Sequence, residues 1–238
     1  ILLGLVGSEM CIRDSRYSHE KDERFTEQWS RIIMHLPYAY QAKRMFPDVF
    51  RHDREDTEMW KEVAKQLGPA PEPHNSDDPV IIEIWEKAMD GYRRAISKTP
   101  QYLDFHASRI EKGQRASSLI GNQYTGSIFL ALMSTFESDL EENVNLDNKL
   151  FGLCGYGSGA KAKVFEGKVS PNWREVVSRW NLFERLAGRV AIDHITYENL
   201  HKGLQSGSVV EPEGEFALVE IGESGVQEGA RRYKWIDA

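Results

Sequence analysis

Gly121-Asn122-Gln123-Tyr124-Thr125-Gly126-Ser127 runs straight into Ile128-Phe129-Leu130-Ala131-Leu132-Met133-Ser134-Thr135-Phe136. The second part is apolar on every side of a helix, and such a helix is expected inside a core. The first part is a Gly-Asn turn with Thr125 or Ser127 placed to cap that helix. Asn122 is therefore delivered to a helix N-terminus, where free N–H groups and the positive end of the dipole suit a carbonyl oxygen or an oxyanion. A plainer reading stays open: a capped core helix whose Asn only tightens its own turn.

Working upstream, Arg31-Ile32-Ile33-Met34-His35-Leu36 is an apolar run of strand length, stopped by Pro37. A helix is expected over Tyr38 to Phe46, with Lys43 and Arg44 on its polar side. His35 thus stands at a strand end before a Pro-started helix, as either a site residue or a structural histidine. Phe50 to Gly68 is helical and charged, and 68–74 is a Pro-rich connection that leaves His52 and His74 in solvent. The stripe Ile82, Trp85, Met89, Tyr92 and Ile96 predicts an amphipathic helix, with another over Tyr102 to Ile110. The block 47–112 reads as a helical insertion over an α/β core.

Downstream, Asp139 to Asn143 is expected as a surface turn. Lys149 to Cys154 reads as a buried strand running into a glycine-rich turn, Gly155-Tyr156-Gly157-Ser158-Gly159. Glycines there let backbone approach a ligand, and Ser158 offers a donor. Neither a phosphate-loop nor a dinucleotide fingerprint fits. Cys154, in the apolar company of Phe151 and Leu153, is an inert thiol. A strand over Val164 to Val169, one helix over Trp173 to Leu186 and another over Ile195 to Leu204 follow. A strand pair, Glu215–Ile221 with Arg231–Ile236, closes the chain.

The 238 residues carry a net charge of −7, which disfavours non-specific nucleic-acid binding. No apolar run approaches the roughly 20 residues of a membrane span. Two cysteines make no disulfide framework, so the expected compartment is cytoplasmic. No metal-ligand spacing occurs, and no metal or cofactor is expected. Residues 1–15 are read as foreign to the fold, because Leu5 to Asp14 resembles a translated transposase-adapter end from sequencing-library preparation. On that reading Cys11 carries no function, 16–238 is the domain proper, and the natural chain continues upstream of Arg16.

Three segments, His35-Leu36-Pro37-Tyr38, Gly121-Asn122-Gln123-Tyr124-Thr125 and Tyr156-Gly157-Ser158-Gly159, together resemble the carboxy-terminal half of the hydroxymethylglutaryl-CoA synthase family. That resemblance implies an α/β, thiolase-like layered condensing-enzyme fold, C-terminal half only, with a helical insertion. It implies acetyl-CoA and acetoacetyl-CoA as substrates, 3-hydroxy-3-methylglutaryl-CoA as product in the mevalonate route to isoprenoids, and a homodimer when full length.

By resemblance, His35 polarises the acetoacetyl group, Asn122 stands beside it and Ser158 contacts substrate. Lys43 and Arg44 meet CoA, while Tyr40 stands where the family has a lysine. Pro37, Gly121, Tyr124, Tyr156, Gly157 and Gly159 shape the supporting turns. The family's nucleophilic cysteine and general-base glutamate belong to the amino-terminal half, so this chain is expected to be inactive alone and to fold poorly. Two alternatives remain: a branching synthase using carrier-protein-bound acetoacetate, and a non-catalytic thiolase-like module.

Overall fold

A computed structural model describes residues 24–157, 161–205 and 207–237. The chain divides at residues 187 and 188 into two compact units. Ser158, Gly159 and the adapter-like segment 1–15 lie outside the described residues.

The first unit is built on a three-stranded sheet in the order β1-β2-β3. After a short helix α1 (Phe25–Gln28), β1 (Trp29–Met34) pairs in parallel with β2 (Leu150–Gly157), which pairs antiparallel with β3 (Lys161–Lys168). Consecutive residues of β1, Ile32, Ile33 and Met34, are all buried. Successive side chains point to opposite faces, so both faces of the strand are covered, the layered arrangement expected from the sequence. Glycine is required at Gly152. A Cβ there would lie 2.2–2.6 Å from the Trp29 indole ring, which lies against the sheet at this point.

Between β1 and β2 the chain is helical. It forms α2 (Gln41–Met45), α3 (Pro47–His52), α4 (Glu58–Leu67), α5 (Pro79–Ile96), α6 (Pro100–Arg109), α7 (Glu111–Ile120) and α8 (Ser127–Glu141). The caps explain several boundaries. Thr57, Asp78 and Thr99 each accept a first-turn N–H, and Pro79 and Pro100 open α5 and α6. Phe46, Phe50, Tyr102 and Phe105 stack between α2, α3 and α6 to fill this part of the core.

Several expectations change here. The helix foreseen over 38–46 begins only at Gln41, after a turn. The helical pattern of 50–68 breaks between His52 and Thr57, where Thr57 starts a new helix. His74 is half-buried: its ring packs edge-on against Trp85, and Nδ1 accepts the Ser76 N–H. The polar stretch 111–120 is helix α7, packed on α8. Asp139 is not in a surface turn but fully buried in α8, held by Arg31 and Lys112 at 2.5 and 2.6 Å. The single helix foreseen over 173–186 is two, α9 (Trp173–Val177) and α10 (Leu182–Ala187). Asn181 takes a left-handed conformation (φ 52°) between them, and buried Glu137 accepts the Leu182 and Phe183 N–H groups at the start of α10.

The second unit holds α11 (His194–His201), capped by Asp193, and the antiparallel pair β4 (Glu215–Ile221) and β5 (Arg231–Ile236). The strand bounds are those read from the sequence. Phe216 and Trp235 meet edge-to-face across the pair.

Candidate functional site

β1 ends at Met34, and the His35 N–H donates to the Cys154 carbonyl at 3.0 Å, so the strand pairing carries through to the histidine. The next N–H, that of Leu36, donates to Ser127 Oγ at 3.1 Å. The same Ser127 hydroxyl lies 2.5 Å from His35 Nδ1. Ser127 is the fully buried first residue of α8. The helix N-terminus and the strand end are thereby joined through one hydroxyl.

Neither Thr125 nor Ser127, the two expected candidates, caps α8: the helix has no side-chain cap, and the Ser127 hydroxyl engages Leu36 and His35 instead. Its hydroxyl has one proton. The oxygen accepts from Leu36 and has a second lone pair, so the contact suits either tautomer; we assign the hydroxyl proton to His35 Nδ1, which leaves Nε2 as the N–H that can face a ligand. Burial lowers the His35 pKa from its ordinary value, which favours a neutral ring.

Tyr156 completes the wall around the ring, edge-on to His35 with centroids 5.1 Å apart. The stretch Gly155–Gly157, expected as a turn, is still strand, paired with Lys161–Lys163. That pairing turns Tyr156 toward the histidine. Its Oη is buried and has no hydrogen-bond partner of ordinary geometry. Burial pushes the phenol up to about 12, opposed by the nearby Gln41 side chain.

Asn122 lies in an exposed turn. Gly121, at φ 80°, ends α7, and Asn122 Oδ1 accepts the Tyr124 N–H at 2.7 Å. The plainer reading of Asn122 is thus part of the structure: it does tighten its own turn. With the oxygen committed, the side chain has only its NH2 donors left to offer, which is what a carbonyl oxygen requires. Asn122 and His35 share no hydrogen bond. They are related through Ser127, five residues beyond Asn122.

Tyr124 is exposed and adopts φ 48°. Phe129 is 64% exposed, so α8 is not buried on all sides as its composition predicted. Pro37 follows Leu36 as the chain leaves the strand. Lys43 and Arg44 diverge: Lys43 is near buried His106, whereas exposed Arg44 donates to Tyr38 Oη at 3.0 Å. Cys154 is 4% exposed within the sheet. Among the described residues no group of three His, Cys, Asp or Glu side chains could hold a metal ion, and no helix is long and apolar enough to cross a membrane. The role of Ser127 and the wall formed by Tyr156 are features that sequence reasoning missed. The one signal for them was position: Tyr156 falls inside a motif, and Ser127 stands two residues beyond another.

Among curated relatives, the hydroxymethylglutaryl-CoA synthase of Haloferax volcanii is 27% identical over 87% of this chain and 46% of its own. The Zymoseptoria tritici synthase is 27% identical over 82% and 41%. The chain spans about half the length of the relatives it matches. Among solved structures, MvaS in complex with 3-hydroxy-3-methylglutaryl coenzyme A superposes with a TM-score of 0.67 at 22% identity, over 99% of this chain and 49% of that one. The curacin-pathway HMG synthase with holo donor-ACP gives 0.59 at 17%, over 98% and 50%. The shared fold is the thiolase-like α/β arrangement of these synthases. The family model for the hydroxymethylglutaryl-coenzyme A synthase C terminus matches residues 8–206, and the chain belongs to that family.

Proposed function

We propose that this chain supplies the acetoacetyl-binding half of an enzyme that condenses acetyl-CoA with acetoacetyl-CoA to 3-hydroxy-3-methylglutaryl-CoA, in the mevalonate route. The observation that carries the reading is the Ser127 hydroxyl on His35 Nδ1. With that hydroxyl donating to Nδ1, the neutral imidazole carries its proton on Nε2, which is free to face a ligand. Such a donor stabilises the alkoxide that develops when a carbon nucleophile attacks the ketone. The Asn122 amide, locked by its bond to Tyr124, adds a second donor from the exposed turn between α7 and α8. Ser158 and the CoA contacts of Lys43 and Arg44 belong to the same reading, as do a cytoplasmic setting and a homodimer of the full-length protein.

The acyl-enzyme cysteine and the glutamate that generates the enolate are assigned to the other half of the enzyme. Cys154 does not replace the former, since it is buried within the sheet. The chain alone is therefore expected to release no 3-hydroxy-3-methylglutaryl-CoA from the two substrates, as read by mass spectrometry. Turnover by the isolated chain would overturn this division of labour. In the protein extended to both halves, Asn122→Ala is expected to reduce kcat by about 100-fold, the scale of a lost oxyanion donor, with melting unchanged. A fall in melting temperature with kcat intact would leave Asn122 a turn residue only.

A branching synthase acting on carrier-bound acetoacetate is the second reading. Tyr40, 61% exposed where the family has a lysine, favours it by removing one cation from the CoA side. Comparing acetoacetyl-CoA with carrier-bound acetoacetate as substrate separates the two.

A further inference from the structure

One stripe of α5 faces the core, where Met89, Tyr92 and Ile96 are buried. A second stripe on the same helix, Ile81, Ile84, Ala88, Gly91 and Ala95, recurs at alternating spacings of three and four residues. That is the spacing of a helix-pairing seam. The core leaves much of it uncovered: Ile81 is 44% exposed and Ile84 64%, and Ala88 and Gly91 are exposed as well.

Gly91 is not explained by the chain's own packing. It takes no left-handed φ, and a Cβ placed there would meet nothing within 4 Å. A glycine inside a helix costs stability relative to alanine, and what it offers in return is room for a close approach from outside.

The exposed row bordering the stripe carries Glu83, Lys87, Asp90 and Arg94, which alternate in sign. In reverse order every sign is inverted. Two copies of α5 related by a two-fold axis and laid antiparallel therefore set Glu83 against the second copy's Arg94, and Lys87 against its Asp90. Both contacts recur on the other side of the axis. A parallel pair in register would oppose like charges instead. In the antiparallel register Ile84 enters the notch between Gly91 and Ala95 of the second copy. Lys87 also pairs with Glu83 at 2.7 Å, and Arg93 with Asp90 at 2.9 Å, but exposed pairs such as these rearrange at little cost.

We propose that this face of α5 is an interaction surface for a second copy of the chain, forming an antiparallel helix pair centred between Ala88 and Met89. The surface lies in the helical insertion, apart from the three motifs and the sheet. It is read from the charge order of one helix and does not rest on the homodimer that the resemblance implies. The 18 residues of α5 give about 27 Å of seam. That is short of a standard interface, so the association is weak and concentration-dependent.

The test is sedimentation velocity of the 238-residue chain at rising concentration, with a monomer–dimer equilibrium expected for the wild type. Lys87→Glu and Asp90→Lys should each weaken it about tenfold, the scale of two exposed ion pairs turned repulsive. Arg93 keeps its Asp48 partner in the second variant. An equimolar mixture of the two variants should restore the association, because each reversed charge then faces an opposite one. Gly91→Ala should raise the melting temperature yet weaken the dimer, two effects that a purely structural glycine would not separate. A wild-type chain that stays monomeric overturns the proposal. So does association that all the variants share equally, which would place it on another surface, or a mixture no tighter than its components. In the protein extended to both halves, a fall in melting temperature for Ile84→Glu with association unchanged would place the stripe beneath the rest of the enzyme, and would overturn it too.

Discussion

At His35, three groups with separate tasks meet: the Cys154 carbonyl orients its backbone, the Ser127 hydroxyl its ring, and Tyr156 packs edge-on against it. Folding disfavours the proton on His35, so the unfolded state binds it more readily. Stability from this residue is intact above the ordinary histidine value of about 6.5 and is lost as the pH falls below it. A histidine NMR titration should place the His35 midpoint below that value, with Nδ1 as the unprotonated nitrogen between pH 7 and 8. A midpoint above the ordinary value would contradict the burial argument. Ser127→Ala removes the proton donated to Nδ1 and leaves the Leu36 N–H without its acceptor, a cost of about 1–3 kcal/mol for a buried donor. The melting curve should show that loss, and the tautomers should become mixed. The residue types at this site were legible in the sequence. The hydroxyl between them was not, because a serine at a helix start reads as a cap until the strand end 92 residues away is seen to need it.

Among the elements, the strands and α8 show how local pattern and tertiary demand divide the explanation. The β4–β5 pair kept its predicted bounds because two short runs rich in apolar, aromatic and β-branched residues, joined through a glycine-bounded connection, specify it locally. The break at Asn181 was invisible, since the apolar spacing of Val176, Val177, Trp180 and Leu182 continues across it. What breaks the helix is Glu137, arriving from α8 to take the N–H groups of a second start. Asp139 makes the same point. Its charge suggested a surface, but Arg31 on β1 and Lys112 on α7 reach it in the interior. Asp139→Ala leaves two cations facing each other without their shared carboxylate, and about 3–5 kcal/mol of stability should be lost. Chemical denaturation checks this, and a loss below 1 kcal/mol would show the cations finding water instead. Gly152→Ala should also destabilise, by about 1–3 kcal/mol or more, because the indole of Trp29 occupies the space of the new methyl group.

Across the whole molecule, the two compact units meet in a chain segment, 189–193, that is exposed and free of regular structure. Limited proteolysis should cut there first and leave the sheet-bearing unit protected, with cleavage inside α8 arguing against that division. The thiolase-like fold was legible from three short motifs taken together, whereas composition alone reached only an ordinary globular chain. What composition missed at this scale is the exposed flank of α8 at Phe129, since an all-apolar helix carries no mark of which face meets protein. In the proposed complex His35, held by Ser127, donates to the acetoacetyl ketone. The 13C NMR shift of ketone-labelled acetoacetyl-CoA bound to this chain and to His35→Ala tests that donation. A downfield ketone shift on the wild-type chain, absent in the variant, is the predicted result. An identical ketone shift in both proteins would contradict the account.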